Sequence, residues 1–114
     1  MSENIIQKKS YAFSVRIVKL YIFLKEEKKE YTLGKQILRS GTSVGANVEE
    51  AIGGISRKDF RNKLAISYKE ARETQYWLNL LFDTDFISAE QHKSLSNDCQ
   101  EILKILFSII KSSK

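Results

Sequence analysis

The sequence predicts an all-α protein, an antiparallel up-down-up-down four-helix bundle formed by one domain over residues 1–114. The chain contains no proline, and its five glycines lie between residues 34 and 54, which favours long helices joined by short polar turns. Apolar residues recur at alternating spacings of three and four along four segments, as on one side of an α-helix. Helices joined by short turns pack as antiparallel neighbours.

The first predicted helix runs from about Ile5 to Lys28 and carries apolar residues on two sides. One set suits the bundle core and consists of Phe13, Ile17, Leu20 and Leu24. A second set, rotated well away from the first, consists of Tyr11, Val15, Val18 and Ile22.

The second predicted helix begins at Thr32, interpreted as its N-cap, and ends at Gly53 and Gly54, where glycine allows a left-handed backbone. Its core side consists of Ile37, Gly41, Val44, Val48, Ala51 and Ile55. Gly41 and Gly45 each cost about 1 kcal/mol relative to Ala inside a helix, so we expect a neighbouring backbone to approach closely there. A polar stripe beside the core faces either water or polar partners and consists of Ser40, Ser43, Asn47 and Glu50.

The third predicted helix is capped by Ser56, has Asp59 in its first turn and continues to about Phe82. Its core side consists of Phe60, Leu64, Ser67, Ala71, Thr74, Leu78 and Leu81. Another side is apolar at its ends and acidic in the middle, and consists of Ile66, Glu70, Glu73, Trp77 and Leu80.

The fourth predicted helix follows a turn over residues 83–87 and runs to about Lys111. Ser88 and Gln91 have the spacing of a capping box at its start. It has one broad apolar side, formed by Leu95, Cys99, Ile102, Leu106 and Ile109 or Ile110. This pattern is typical of an ordinary outer helix.

The second apolar stripes of the first and third helices predict association between subunits. One bundle buries two stripes of the same helix only if that helix is central, so stripes left exposed favour contact with another copy. The candidate oligomer interface is Tyr11, Val15, Val18, Ile22, Ile66, Glu70, Glu73, Trp77 and Leu80. The alternative is a wide core that absorbs both stripes.

Basic residues supply a candidate nucleic-acid-binding surface. The net charge is +5, and the first 30 residues contain seven Lys and Arg against four Asp and Glu. The basic set is Lys8, Lys9, Arg16, Lys19, Arg57, Lys58 and Arg61. The topology places five of these at one end of the bundle, where they form a basic rim: Lys8, Lys9, Arg57, Lys58 and Arg61. Such a rim contacts phosphates with little sequence discrimination, whereas the alternative is a merely solvated surface. No segment interleaves basic and aromatic residues like a single-strand stacking platform.

The residues argue against an enzyme, and no metal or cofactor is expected. A di-metal bundle site normally needs paired Glu-x-x-His elements, but the only histidine is His92, and Ala89 precedes it by three residues. Ser40 and Ser43 have no histidine partner for nucleophilic catalysis, and the glycines lack the lysine of a phosphate loop.

The acidic residues are instead expected to have structural partners. Glu70 or Glu73 pairs with Arg39, Arg72 or a basic residue of a neighbouring subunit. We also expect Asn47 and Glu50 to help fix the helix register.

The single cysteine excludes an internal disulfide, and Cys99 is expected to be a buried, inert thiol, with a redox role as the alternative. The first residues are polar and do not resemble a signal peptide. No apolar run approaches about 18 residues. A cytoplasmic location without membrane contact is therefore expected.

Two blocks of sequence carry a family resemblance: residues 39–51, and Lys58-Asp59-Phe60 followed by residues 63–78. They resemble the bacterial four-helix-bundle family named for the intervening sequences of 23S ribosomal RNA genes, and the resemblance covers nearly the whole chain. It implies a bundle that assembles into a homopentameric, barrel-like ring. Related proteins include the accessory variability determinant of diversity-generating retroelements, a basic pentamer that associates with a reverse transcriptase and binds nucleic acid.

The sequence thus predicts a non-enzymatic homo-oligomeric scaffold or adaptor, pentameric by resemblance, that contacts RNA or DNA through its basic surface. The alternative is a protein-interaction module that binds another polypeptide and no nucleic acid.

Overall fold

Four α-helices form the computed structural model, which describes residues 2–113. They are α1 (Ser2–Glu27), α2 (Thr32–Ile52), α3 (Arg57–Asp83) and α4 (Ala89–Ser112). No strand occurs between residues 2 and 113. Each helix packs on the next and α1 also packs on α4, whereas α1 and α3, like α2 and α4, lie diagonally across the core. This arrangement confirms the predicted antiparallel four-helix bundle.

The core contains the apolar side chains that the spacing predicts on all four helices, including Phe13, Ile37, Leu78 and Leu106. The polar residues among them have partners inside the bundle. Ser67 Oγ donates to the Val44 carbonyl at 2.7 Å, and Thr74 Oγ1 donates to Ser40 Oγ at 2.9 Å. Within the described residues, every buried side-chain nitrogen or oxygen has a hydrogen-bond partner. Hydrogen bonds therefore replace the hydration that these hydroxyls lose on folding.

Two glycines of α2 pack closely on α1: Gly45 lies against its backbone, as expected, with the Ser10 carbonyl oxygen 3.2 Å from an added Cβ, whereas Gly41 lies against a side chain and not the expected backbone. A Cβ on Gly41 would lie 2.7 Å from Ile17 Cγ2, and a Cβ on Gly45 would lie 3.0 Å from Ser14 Oγ. Any larger residue at Gly41 would overlap a core side chain. The cost of glycine inside α2 is therefore offset by the packing it allows.

The start of α2 differs from the prediction. Thr32 is not the N-cap: Tyr31 takes that position, without a side-chain cap. The carboxylate of Glu30 instead accepts hydrogen bonds from the backbone N–H groups of Thr32, Leu33 and Gly34, at 3.2, 3.1 and 2.8 Å. The prediction missed this cap because the longer side chain of Glu30 reaches the helix from one position further back.

The end of α2 also corrects two predictions. The helix ends at Ile52, so Ile55 lies beyond its last turn and is 95% exposed rather than part of the core. Gly53 has a φ of −82°, and no glycine in the described chain has a positive φ. The left-handed residues are Lys29 and Asp85, in the other two turns.

The caps of α3 and α4 confirm the sequence signals. Ser56 Oγ accepts the Asp59 N–H at 3.0 Å. Ser88 and Gln91 form both hydrogen bonds of a capping box, at 3.0 and 2.8 Å. These hydrogen bonds satisfy N–H groups that the first helical turns leave without partners.

Candidate oligomer interface and basic surfaces

An apolar stripe runs along the outside of α1. Its members are exposed by 72% at Tyr11, 38% at Val15, 40% at Val18 and 44% at Ile22. With Ser14 and Lys19 they line an open groove of about 440 Å³. The alternative of a wide core that absorbs this stripe is therefore wrong for α1. Within one chain the stripe remains in contact with water.

The candidate surface on α3 combines partly exposed apolar residues with two paired carboxylates. Ile66 is 41% exposed, and Leu80 is half-buried. Arg39 of α2 forms ion pairs with both Glu70, at 3.3 Å, and Glu73. Of the three partners that the sequence left open for Glu70 and Glu73, Arg39 is the one that pairs with them within the chain.

Trp77 belongs to the same cluster on α3. Its Nε1 donates to Glu73 Oε2 at 2.9 Å, and its ring is half-buried. One guanidinium thus partly compensates the two carboxylates of this surface within one chain, and the indole is held by a hydrogen bond beside them.

Three members of the basic set are directed toward α4. Lys9 Nζ lies 3.2 Å from Glu101 Oε2, and Arg16 Nη1 lies 2.7 Å from Asp98 Oδ2. Arg61 Nε donates to the Ile110 carbonyl at 3.4 Å. These three cations therefore contribute to packing between helices, and their charge is partly compensated.

The other members of the basic set, Lys8, Lys19, Arg57 and Lys58, are exposed, and none takes part in an ion pair among the described side chains. Lys8 lies in the second turn of α1, and Arg57 and Lys58 are the first two residues of α3, so the antiparallel topology places all three toward one end. Lys19 lies about 16 Å further along α1, beside the apolar stripe. The structure therefore brings together a basic rim with three unpaired cations.

Two residues of the polar stripe on α2, Asn47 and Glu50, have different kinds of partner. Asn47 Nδ2 donates to the Ser43 carbonyl within the same helix at 2.8 Å. Glu50 pairs with Lys63 of α3 at 2.7 Å. Glu50 thus links two helices as expected, whereas Asn47 does not, because its hydrogen bond is local to α2.

Cys99 is fully buried, as the sequence predicts. Its Sγ donates to the Ala71 carbonyl at 3.2 Å. Burial, with a smaller contribution from the carboxylate of Asp98, raises the pKa of the Cys99 thiol to about 12. The thiol is therefore protonated and unreactive at neutral pH.

The remaining chemistry-bearing groups are dispersed. Among the side chains of residues 5–113, no three His, Cys, Asp or Glu lie close enough together to hold a metal ion. His92 stacks on Phe82 at 4.6 Å, and its Nε2 lies 2.8 Å from Asn79 Oδ1. None of the helices in this range combines the length and apolar character that crossing a membrane requires.

A groove between α3 and α4 was not predicted, because its lining residues come from two helices. It has a volume of about 310 Å³. One helical turn beyond the lining residues Arg72 and Leu103, Tyr68 and Phe107 pack against each other with ring centroids 6.2 Å apart. We define the α3–α4 groove by these two rings and the lining residues Arg72, Gln75, Tyr76, Asn79, Gln100 and Leu103. Tyr68, Arg72 and Tyr76 interleave aromatic and basic residues at intervals of four on α3, so the prediction that no segment does so is wrong there; the α4 half of the groove had no such signal.

Comparison with known proteins assigns the family. Residues 2–108 match the family model described as 23S rRNA-intervening sequence protein. No curated protein matches the chain. The chain is similar to a solved structure from Bacteroides thetaiotaomicron, a protein of unknown function from the S23 ribosomal protein family. The two have 57% sequence identity and a TM-score of 0.96, and the match covers 97% of this chain and 99% of that chain. The chain therefore belongs to the family of 23S rRNA-intervening sequence proteins.

Proposed function

We propose that this chain is a non-enzymatic, homo-oligomeric scaffold or adaptor that contacts nucleic acid through its basic rim. The observation that carries the proposal is the apolar stripe on α1, which one chain leaves 38–72% exposed. Monomeric proteins rarely keep a continuous apolar surface in water, and such a surface marks an interaction site. A second copy offers a partner with matching apolar residues.

The placement of the two candidate surfaces favours a ring over a simple dimer. The α1 stripe and the α3 surface lie on helices that are diagonal to each other in the bundle. If the α1 stripe of one copy packs on the α3 surface of the next, the contact joins two different surfaces and repeats around a closed ring. Five copies is the number implied by the family resemblance.

The basic rim supports the nucleic-acid part of the proposal. Lys8, Arg57 and Lys58 are exposed at one end of the bundle, without ion pairs among the described residues. Three cations bind phosphates weakly, but a ring repeats them and increases the apparent affinity through avidity.

Association is tested by the substitution Val18→Glu. A carboxylate in the middle of the α1 stripe would be buried without a partner in the oligomer, so the variant should have the light-scattering mass of one chain. Ala65→Glu is the control, because it places the same side chain at an exposed position of α3 outside both candidate surfaces. Equal masses for the wild-type protein and Val18→Glu would refute the interface.

Nucleic-acid contact is tested by salt-dependent retention on RNA or DNA. The proposal predicts retention that weakens between about 50 and 200 mM salt, as phosphate contacts are screened. A protein-interaction module, the alternative function, predicts no binding even at the lower salt concentration.

Charge reversal at the rim tests which residues are responsible. Lys58→Glu and Arg61→Glu should lower retention and leave the fold intact; Arg57→Glu is the cleaner companion, because Arg61 also donates to the Ile110 carbonyl. Lys35→Glu is the matched control, since Lys35 is exposed at the opposite end of the bundle. Unchanged retention in the rim variants would exclude the rim as the binding surface.

A further inference from the structure

The α3–α4 groove combines exposed aromatic rings with unpaired cations. Tyr76 is 58% exposed and Phe107 is 56% exposed. Arg72 lines the groove, while Lys69 and Lys104 stand one helical turn from Arg72 and Phe107 respectively, on the same sides of their helices. None of these three cations forms an ion pair among the described side chains.

Carboxylates are kept away from this groove by their contacts with the other two helices. On α3, Glu70 and Glu73 both pair with Arg39 of α2. On α4, Asp98 and Glu101 pair with basic residues of α1. Among the described side chains, no carboxylate therefore pairs with the cations of the α3–α4 surface.

The aromatic rings are held in place by their surroundings. Tyr76 packs edge-on against Trp77, with ring centroids 4.9 Å apart, and Trp77 is fixed by its hydrogen bond to Glu73. Phe107 packs against Tyr68 at the other end of the groove. Because Phe107 lies opposite Tyr68, it is displaced from Tyr76 by eight residues of α3, about 12 Å along the helix axis. A strand lying along the groove meets the two rings with different nucleotides.

Amide groups line the groove beside Tyr76 and on its side away from Phe107. Gln100 Nε2 donates to Gln75 Oε1 at 2.9 Å, and Gln75 Nε2 donates to Asn79 Oδ1 at 3.0 Å and to Ser96 Oγ at 2.9 Å. The amides are thus oriented by one another, while the groove remains open to solvent. Oriented donors and acceptors beside an exposed ring suit the edges of unpaired bases.

We infer that the α3–α4 groove binds single-stranded nucleic acid, with bases stacked on Tyr76 and Phe107 and phosphates held by Arg72, Lys69 and Lys104. Stacked rings combined with a basic groove are the usual means of binding a single strand without sequence preference. The inference extends the nucleic-acid contact of the proposed function to a second surface, but it rests on different residues. It favours unpaired over paired bases, which the basic rim does not.

Charge decides between a nucleic acid and another copy of the chain as the occupant. Pairing two copies of this groove would bring like cations together, and the nearby carboxylates already have partners within the chain. Phosphates neutralise these cations instead. The α1 stripe, by contrast, is almost entirely apolar and suits contact between copies.

The test measures fluorescence anisotropy of a labelled oligouridylate about 12 nucleotides long, at low salt. Tyr76→Ala and Phe107→Ala should each raise Kd about tenfold, because each removes one stacking platform. Tyr31→Ala is the matched control: Tyr31 is 50% exposed in the turn before α2, and its loss should leave Kd unchanged. Arg72→Gln should reduce the slope of log Kd against log salt by about 0.7, the value of one phosphate contact on a single strand.

The outcomes separate this inference from the proposed function. If Arg57→Glu and Lys58→Glu weaken binding while Tyr76→Ala and Phe107→Ala do not, the rim binds and the groove inference is wrong. If only the groove variants weaken binding, the groove is supported and the rim is excluded. A duplex of the same length that binds as tightly as the single strand contradicts stacking. A lower light-scattering mass for Tyr76→Ala or Phe107→Ala, with helical circular dichroism unchanged, would identify the groove as a contact between copies and overturn the inference.

Discussion

At the scale of single residues, the contact between α1 and α2 depends on the absence of a side chain. Gly41 faces Ile17, a fully buried core residue that has no room to move away. A glycine retained inside a long helix despite its low helix propensity is explained by this contact. At Gly41, and at Gly45 one turn later, a Cβ would lie 2.7 and 3.0 Å from side-chain atoms of α1.

Gly41→Ala is expected to destabilise the fold despite improving helix propensity. The added Cβ would lie 2.7 Å from Ile17 Cγ2. Overpacking of a core costs about 1–3 kcal/mol, which exceeds the roughly 1 kcal/mol gained from alanine in a helix. Urea unfolding should show a lower free energy of unfolding for Gly41→Ala. Gly53→Ala is the control, because the nearest atoms around its new Cβ are 3.9 Å away; equal stability of the two variants would argue against close packing at Gly41.

Cys99 gives a second residue-scale prediction, on reactivity and pH. The pKa of about 12 lies above the ordinary value of 9.0. Between about pH 9 and 12 the native thiol stays protonated, whereas the unfolded thiol ionises. The contribution of Cys99 to the free energy of unfolding is therefore complete below about pH 9 and declines as the pH rises toward 12. At about pH 8, iodoacetamide should modify the native protein only as fast as it unfolds, and should modify the urea-unfolded protein rapidly. Fast labelling of the native protein would show that the thiol is accessible.

At the scale of the helices, the spacing of apolar residues was sufficient to predict the element order and nearly all core residues. The spacing of apolar residues did not predict how α2 begins or where it ends. The cap by Glu30 depends on a left-handed Lys29 that turns the chain back onto the helix, and no sequence pattern indicated that conformation. Ile55 continued the apolar spacing, but the helix ended before it.

Among the candidate sites, the sequence predicted the surface formed by one helix, but not the contacts formed between two helices. The stripe on α1 was predictable because its members lie on one helix at regular spacing. The α3–α4 groove was not, since it combines Tyr76 with Phe107 from a different helix. Likewise, sequence spacing did not indicate that Lys9 and Arg16 pair with carboxylates of α4, because such partners depend on the packing of two helices.

Glu30→Ala is expected to weaken the start of α2. The carboxylate accepts hydrogen bonds from three N–H groups that have no partner within the helix. Removal of a helix cap costs about 0.5–2 kcal/mol, so the free energy of unfolding in urea should fall by about that amount. Glu27→Ala, at the exposed end of α1, is the control and should change stability by less than about 0.5 kcal/mol. A loss no larger than that of the control would show that the cap contributes little.

At the scale of the whole molecule, the bundle presents three surfaces that differ in chemistry. The α1 stripe is apolar, the rim is basic, and the α3–α4 groove is basic and aromatic. If copies associate through α1 and α3, a ring repeats the rim at one end and carries one groove per copy. In the proposed scaffold, avidity for nucleic acid therefore depends on association of the copies through the α1 stripe.

The central claim, that copies share the α1 stripe, is tested most directly by the mass of the wild-type protein in solution. Multi-angle light scattering over a dilution series should give a constant multiple of the 13.2 kDa chain mass, with five copies as the expected number. A mass of one chain at every concentration, with the helices intact, would contradict the account.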